Sequence, residues 1–562
     1  MTLDGRRFAT NSAARSSSAF ASTPDWAASC NGCAGRSPKR RRRSTLMAVE
    51  SPHITAVADD KIVSLSDLRA RIGLARGHRR VVHCHGVFDL LHIGHIRHLQ
   101  RARRLGDLLV VTVTPNRYVN KGPDRPAFDE RLRAEAIAAL DCVDLVAVNR
   151  WPTAIETIGY LRPDCFVKGA EYRDPDRDVT GAIAREREAV ESIGGRLEFT
   201  DELTSSSSRL INRYLSGLSE ATRRYLTGLA QRHDSDEVLA HLDRARELSA
   251  LVIGEAIVDE YQYCQAIGKS SKEPVLTVRQ NRLEKHAGGI LAVANQVAGF
   301  AGRTTMLTMI GAESDQARFV ERQLRPAVDA VYVRRRDAPT IVKRRYIDGY
   351  FFQKLFEVYE GDDAPLNADE AAQLNAAIAA RAPEHDLVVV NDYGHGMIGR
   401  KAADEIVDRA RFLALNVQCN AGNLGYHTVS KYRRADLICV AENEIRVEGR
   451  NRHGALEPLI EKVSRRLDCP QVIITRGSRG CVCYDRQEGF TKVPAVAGQV
   501  RDRMGAGDAF VSVAALCAAR GAPLELAGMI GNAAGAEAVA TVGHRRPIDR
   551  ARLCRHIECL LK

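Results

Sequence analysis

Short apolar segments alternate with segments of helical periodicity along most of this chain. In the first third, each β-rich apolar run is followed by a stretch in which apolar residues recur every three or four positions. This alternation predicts a parallel sheet with helices on both faces, and therefore an α/β fold. The predicted strands are residues 81–84, 108–113, 145–148, 165–167 and 196–199, and the predicted helices are residues 96–105, 129–140, 153–161 and 181–193.

A change of pattern divides the chain into four parts. Residues 216–249 are charged and carry leucines at helical spacing without Gly or Pro clusters, which predicts a packed helical connector. A new α/β pattern begins at Leu251. We therefore expect a basic tail over residues 1–50, a first α/β domain over 78–215, the connector over 216–249 and a second α/β domain over 250–562.

The positive charge of the chain comes mainly from its beginning. The 562 residues carry a formal charge of +12, but residues 1–46 alone hold nine Lys or Arg and only two Asp. This Ser-, Ala- and Arg-rich tail has no hydrophobic period, so disorder is the first interpretation, with a transit peptide or a true start at Met47 as alternatives. The remaining charge does not predict a nucleic-acid surface.

The cysteines and the hydropathy indicate the compartment. Many of the 14 cysteines lie inside apolar runs without a spacing framework, which is typical of reduced core cysteines in a cytoplasmic protein. Cys30 and Cys33 form a lone C-x-x-C pair, a weak zinc signal. No apolar run reaches the length of a membrane span, so we expect no membrane insertion.

The first chemical signal is the stretch from Gly86 to His95, which contains Phe88 and Asp89 and follows the first predicted strand. Here a strand passes into a helix, and a helix start offers unpaired N–H groups to a phosphate. His92 and His95 can add side-chain donors. The alternative is two chance histidines at a helix start.

Further cationic or hydroxylic clusters follow later strands. Lys121 to Pro126 includes Arg125, Lys168 ends the fourth strand, and Ser205 to Ser208 includes Ser206 and Ser207. In a parallel sheet these loops meet at the carboxyl ends of the strands. Each cluster alone fits a solvated loop, but together they predict a crevice that binds a triphosphate.

These motifs resemble the cytidylyltransferase-like nucleotidyltransferases. His92 to His95 is similar to the family's H-x-G-H motif, residues 121–126 followed by Glu130 and Arg131 to its K-G-x-x-R-P and E-R segments, and residues 168–169 and 205–211 to its closing motifs. The resemblance implies attack by a phosphate-bearing substrate on the α-phosphorus of CTP or another NTP. It implies that His92, His95, Lys121 and Lys168 stabilise the transition state, with nucleotide contacts from Gly86, Phe88, Arg125, Ser206 and Ser207, and with Mg²⁺ escorting the triphosphate.

The second chemical signal lies near the end of the chain, where Arg503 to Phe510 runs into a long helix of small residues. Gly505, Ala506 and Gly507 at the helix start can form an anion hole for a phosphoryl group. Asp508, in the same turn, can accept a proton from an attacking hydroxyl. A tight turn with a capping Asp is the alternative.

Three other motifs accompany this signal: Ala287 to Gly289 with Asn295 in a following helix, Asp392 to Gly396 after an apolar run, and Thr475 to Gly480 after another apolar run. The second domain resembles the ribokinase-like sugar kinases, in which a substrate lid covers the site; here the lid would be residues 341–359. The resemblance implies an ATP-dependent kinase with Asp508 as catalytic base and Glu444 as a Mg²⁺ contact. The implied nucleotide contacts are Thr475, Gly477, Gly480 and Asn532, and the implied sugar contacts are Asp259, Gly288, Gly289, Asn295 and Lys343.

Residues 254–275, 340–360 and 392–397 further resemble the heptose-phosphate kinase branch, which occurs fused to a cytidylyltransferase-like domain. Three features depart from that branch. The transferase comes first here, Glu255 and His395 replace a typical Asp and Lys, and Ala441 interrupts the N-x-x-E pattern.

The two resemblances imply a two-step enzyme. The kinase would phosphorylate a heptose-7-phosphate-like sugar at C1 with ATP, and the transferase would join the sugar 1-phosphate to a nucleotide. Two alternatives stay open: a glycerol-3-phosphate-like substrate for the transferase, and a scaffold with a decayed kinase half. The expected partners are small molecules, and a homodimer is one open oligomeric state.

Overall fold

The computed structural model describes residues 60–562, except 124, 174–181, 201–216 and 312–314. All described residues lie in one structural unit, residues 53–562. The predicted tail and the predicted contacts Ser206 and Ser207 lie outside the described residues. None of the helices in the described ranges has the length and apolar character needed to cross a membrane.

Five parallel strands form the first sheet, and they match the predicted strands to within two residues. They are β1 (Val81–Gly86), β2 (Leu108–Val113), β3 (Leu145–Val148), β4 (Cys165–Lys168) and β5 (Arg196–Phe199). Their order in the sheet is β3-β2-β1-β4-β5. All six residues of β2 are buried, because helices cover both faces of the sheet.

Five helices accompany this sheet: α1 (Leu65–Ala75), α2 (Ile93–Arg103), α3 (Glu130–Ala138), α4 (Ile155–Leu161) and α5 (Ala182–Glu191). The prediction for α2 was wrong at its start, since the helix begins at Ile93 and not at residue 96. The reason is that His92 caps the helix: its backbone is extended and its side chain accepts a hydrogen bond from the Gly94 N–H. His95 therefore lies within the first turn.

Two helices connect the sheets, α6 (Glu220–Arg232) and α7 (Ser235–Arg244). Ser219 and Asp234 cap their N-termini through side-chain oxygens. Their leucines belong to the main core of the second domain, and all are buried: Leu226, Leu229, Leu239 and Leu242. The segment is thus packed onto that domain.

A nine-stranded sheet forms the centre of the second domain. Its strands are β6 (Ser249–Gly254), β9 (Arg303–Ile310), β10 (Val328–Arg334), β13 (Leu387–Asp392), β14 (Leu413–Val417), β15 (Leu437–Ala441), β16 (Gln471–Thr475), β17 (Cys481–Asp485) and β18 (Gly489–Val493). The order is β10-β9-β6-β13-β14-β15-β16-β17-β18, and only β17 and β18 run antiparallel to their neighbours.

Helices cover both faces of this sheet, and one buried cluster lies on each face. The helices are α8 (Ile290–Val297), α9 (Asp315–Gln323), α10 (Ala368–Arg381), α11 (Arg400–Arg409), α12 (Glu442–Glu448), α13 (Leu456–Arg466), α14 (Ala506–Ala519), α15 (Leu524–Val539) and α16 (Arg550–Leu561). The α/β sandwich expected from the alternating pattern is therefore confirmed.

A separate four-stranded sheet forms the lid. Its strands are β7 (Ala256–Lys269), β8 (Leu276–Gly289), β11 (Ile341–Asp348) and β12 (Lys354–Glu360), in the order β12-β11-β7-β8. The lid is larger than the predicted segment 341–359, because the long hairpin β7–β8 supplies half of it. The outer ends of that hairpin are exposed, whereas its base is buried.

Candidate active sites

The first candidate site lies at the turn between β1 and α2. The rings of His92 and His95 stack with their centroids 4.0 Å apart, and Phe88 packs edge-on against His95. Burial, followed by the charges of His92 and Lys121, lowers the pKa of His95 to about 3. His95 is therefore a neutral imidazole near pH 7, and Lys121 lies close enough to influence it.

Asp89 organises the loop that carries Lys121. Its carboxylate is buried and accepts hydrogen bonds from the N–H groups of Ala127 and Phe128. It also forms an ion pair with Arg125 at 3.2 Å. Arg125, expected to contact the nucleotide, thus has a guanidinium that holds this loop against the β1–α2 turn.

Arg133 is a site-forming residue that the sequence reasoning missed. The E-R segment of the sequence contains Arg131, which is exposed and pairs with Glu135 along the helix. Arg133 is only 1% exposed and donates to the carbonyls of Phe128, Val87 and Thr114. An arginine four residues before Ile137, on the apolar face of a helix, was the available signal.

Lys168 is the last residue of β4, the strand next to β1 in the sheet. Its ammonium pairs with Glu186 at 2.8 Å, a partner that the sequence did not indicate. Burial first and the Lys168 charge second lower the pKa of His98 to about 4. The charge of His98 in turn contributes to lowering the pKa of His95, so Lys168 and the stacked histidines belong to one electrostatic environment.

The second candidate site surrounds Asp508 in the first turn of α14. Its Oδ1 atom accepts hydrogen bonds from Gln418 Nε2 at 2.9 Å, Tyr393 OH at 3.1 Å and Asn391 Nδ2 at 3.3 Å. These donors come from the ends of β13 and β14 and from the loops that follow them. Burial raises the pKa of Asp508 above its ordinary value.

The start of α14, which includes Asp508, also contacts His544. Gly505 has a φ of +77°, and a β-carbon there would lie 2.1 Å from the ring of His544. Only glycine satisfies both the left-handed backbone and the close contact. His544 also lies 3.8 Å from Asp259, so this histidine, which the sequence reasoning missed, lies between the helix start and the lid.

Most of the predicted sugar contacts meet at the base of the lid. In the strand register Lys343 stands opposite Asp259, while Gly288 and Gly289 pair with the first residues of β7. Asp259 forms an ion pair with Arg345, which was not predicted. Burial lowers the pKa of Lys343, and the charge of Asp259 opposes that shift.

Asn295, a predicted sugar contact, has a side-chain amide that is hydrogen-bonded within the protein. Its Nδ2 atom donates to the carbonyl of Gln323 at 3.0 Å, and its Oδ1 atom accepts from the Arg325 N–H at 2.8 Å. The amide therefore ties α8 to the turn after α9.

The two replaced residues of the kinase motif are integrated into the site. Glu255 is fully buried and accepts hydrogen bonds from the N–H groups of Tyr393 and His395, each at 3.0 Å. The His395 ring lies 2.6 Å from Asp363, and its Nε2 atom has no hydrogen-bond partner among the described residues. Glu255 thus fixes the backbone between β13 and the lid side of the site.

The predicted nucleotide contacts lie at the end of β16, in the turn that follows it, and on α15. Thr475 is the last residue of β16, and Gly477 and Gly480 lie in the turn between β16 and β17. Asn532, on α15, donates to the carbonyls of Val493 and Pro494 at 3.3 and 3.2 Å. Its amide closes the end of β18, so in this structure it supports the wall of the site.

Glu444 does not by itself form a metal centre. Its carboxylate accepts the N–H groups of Ala441 and Cys419 at 2.6 and 3.3 Å, and burial raises its pKa to about 7. No group of three or more potential metal ligands occurs within the described ranges.

Comparison with known proteins identifies both domains. The model of the pfkB family of carbohydrate kinases matches residues 247–551, and the cytidylyltransferase-like model matches residues 83–213. The chain is 41% identical over 167 residues to the bifunctional protein HldE of Syntrophotalea carbinolica, which covers 28% of this chain and 33% of that protein. It is 28% identical over 300 residues to HldE of Bradyrhizobium diazoefficiens, covering 52% and 60%. The chain thus spans from a third to three-fifths of the length of these curated relatives.

Solved structures were compared as well. Arabidopsis thaliana ribokinase, complexed with ribose and ATP, is 17% identical, with coverages of 56% and 99% and a TM-score of 0.42. Phosphofructokinase-2 from Escherichia coli, in complex with potassium, is 17% identical, with coverages of 54% and 97% and a TM-score of 0.44. Because the family model matches more than half of its residues, the chain belongs to the pfkB family of carbohydrate kinases, with a cytidylyltransferase-like domain preceding the kinase domain.

Proposed function

We propose that this chain is a bifunctional enzyme that phosphorylates a sugar phosphate, of the heptose 7-phosphate class, at C1 and then transfers a nucleotidyl group to the sugar 1-phosphate. The observation that carries the proposal is the buried carboxylate of Asp508, which accepts three hydrogen bonds at a helix start that contains glycines. In the first domain of the same chain, the rings of His92 and His95 stack. The two matched family models support the same pairing of activities, and the matched relatives are named as bifunctional proteins.

In the kinase step, Asp508 accepts the proton of the C1 hydroxyl as its oxygen attacks the γ-phosphorus of ATP. The new C1 oxygen–phosphorus bond forms as the bond to the β-phosphate oxygen breaks, and ADP leaves. The N–H groups of Ala506 and Gly507 stabilise the transferring phosphoryl group, aided by the dipole of α14. Asp259, Gly288, Gly289 and Lys343 hold the sugar beneath the lid.

In the second step, a phosphate oxygen of the sugar 1-phosphate attacks the α-phosphorus of the NTP and pyrophosphate leaves. No protein nucleophile is needed, so the site works by positioning and charge stabilisation. His92 and His95 donate to the phosphates, while Lys121 and Lys168 stabilise the added negative charge. Mg²⁺ bound to the triphosphate supplies further charge neutralisation. We place both steps in the cytoplasm.

The test is a coupled assay with purified full-length protein. A panel of heptose, hexose and pentose phosphates is incubated with ATP and then with each NTP, and the products are identified by mass. A nucleotide sugar together with pyrophosphate is the expected result. Pyrophosphate release from glycerol 3-phosphate, but from no sugar 1-phosphate, would support the other transferase substrate. ATP binding without phosphorylation of any sugar would exclude the kinase step.

A further inference from the structure

The last helix of the kinase domain contacts the transferase loop that carries Lys121. A β-carbon at Gly122 would lie 2.7 Å from Cδ2 of His556, and Gly122 has a φ of +101°. Gly122 is buried, and so is His556, at 5% exposure. The backbone of this loop therefore lies directly against the imidazole, and a larger residue at position 122 would displace one of the two.

Lys121 itself is influenced by the same helix. Burial lowers the pKa of Lys121, and the opposing influences are Cys559 first and Asp89 second. Cys559 belongs to the last turn of α16, whereas Asp89 belongs to the β1–α2 turn. The proposed catalytic lysine of the first domain thus lies between its own domain and the C-terminal helix of the second.

His556 lies beside a buried carboxylate of the kinase domain. Its Nδ1 atom lies 3.0 Å from Glu537 Oε1, and the other oxygen of Glu537 pairs with Arg552 at 2.5 Å. Glu537 lies on α15, which packs against α14, the helix that begins at the proposed phosphoryl site. Buried side chains therefore form a continuous contact from the kinase helices to the transferase loop.

We propose that His556 is a positioning residue for nucleotidyl transfer: the C-terminal helix of the kinase domain forms part of the wall of the transferase site and fixes the backbone that presents Lys121. The inference rests on the proposed function, since it assigns His556 to that reaction. This role would account for the contact between α16, which contains neither active-site motif, and the transferase loop. A displacement of about 1 Å at a charge-stabilising group is enough to slow a reaction by about 10²-fold.

The activity test uses full-length variants supplied with sugar 1-phosphate and NTP. We expect His556→Ala to lower kcat for pyrophosphate release by about tenfold or more, with a smaller change in KM, because Lys121 acts on charge that develops in the transition state. Sugar phosphorylation should stay within twofold of wild type. His453→Ala, at an exposed position, is the matched control. Wild-type kcat in His556→Ala, or an equal loss of both activities, would overturn the proposal.

A double-variant comparison tests the contact itself. Gly122→Ala adds backbone strain and a collision with His556, and His556→Ala relieves only the collision. The effects of the two substitutions on transfer should therefore be non-additive. Additive effects would mean that the two residues do not act through one contact.

A cross-link separates this proposal from the proposed function. Oxidation of the Gly122→Cys/His556→Cys variant should yield a peptide that joins positions 122 and 556, detected by mass, whether or not the protein releases pyrophosphate. Absence of that peptide would overturn the docking of the helix. A cross-linked protein whose parent releases no pyrophosphate would instead refute the transferase function and, with it, the role of His556 in that reaction.

Discussion

Replacing Asp508 by Asn should separate catalysis from stability in the kinase domain. The Asp508 Oδ1 atom accepts hydrogen bonds from Tyr393, Asn391 and Gln418. An Asn side chain can offer its carbonyl oxygen to the same three donors, so the fold around the site should persist. The amide cannot accept the proton of the attacking hydroxyl, and only the chemical step should suffer.

The magnitude follows from general-base catalysis and from burial. Loss of a positioned base costs about 10²–10⁴ in rate, which is about 2.7–5.5 kcal/mol of transition-state stabilisation. Burial raises the pKa of Asp508 above 3.8, so just above pH 3.8 the native state holds a proton that the unfolded chain has released. Stability contributed by this group therefore falls as pH rises. Asp508→Asn removes that penalty, and its free energy of unfolding at pH 7 should equal or exceed that of wild type.

The measurements are sugar phosphorylation, pyrophosphate release from supplied sugar 1-phosphate, and urea unfolding. We expect the first to fall at least a hundredfold while the second is unchanged. Asp468→Asn, at a position exposed by 77%, is the matched control. Retention of phosphorylation within tenfold of wild type, or a parallel loss of transferase activity or stability, would refute the reasoning.

Three further predictions concern single side chains. His92→Ala should lower pyrophosphate release by about 10² or more, equivalent to about 2.7 kcal/mol, with sugar phosphorylation intact; an effect below tenfold would remove His92 from the catalytic residues. Asp89→Ala should destabilise the first domain by about 3–5 kcal/mol in urea unfolding, because it removes a buried carboxylate that pairs with Arg125 and accepts the N–H groups of Ala127 and Phe128; a loss below 1 kcal/mol would show that these contacts are solvated. Because burial raises the pKa of Glu444 from 4.5 to about 7, its contribution to wild-type stability should decline from pH 4.5 to 7, and Glu444→Gln should lack that decline in unfolding measured across the series. Equal pH dependence in the two proteins would contradict the assignment.

Local sequence patterns predicted which helices and strands occur more accurately than where each of them begins and ends. The five strands of the first sheet were predicted to within two residues because buried parallel strands are continuous apolar runs. The start of α2 was missed by three residues, since a capping side chain sets it and not the apolar period. The hairpin β7–β8 was missed as part of the lid, because its exposed half lacks a buried face.

The motifs located both candidate sites but not the side chains that support them. Asp508 could be singled out because an acid that follows glycines at a helix start indicates a phosphate-binding turn from neighbouring residues alone. Gln418 and Tyr393 could not, since they reach Asp508 only where the carboxyl ends of β13 and β14 meet the start of α14. Asn295 had the right residue type near the glycine pair, yet the fold uses its amide to tie α8 to the turn after α9.

By itself, the sequence determined the α/β class, the order of the two domain types and the chemistry of the residues in the two motifs. These properties depend on periodicity and on residues close together in the chain. Tertiary structure decided that Arg125 pairs with Asp89, that Glu255 fixes the backbone beside Asp508, and that His556 lies against Gly122. Such contacts join residues separated by tens to hundreds of positions, and only the packing of helices on sheets brings them within hydrogen-bonding or van der Waals distance.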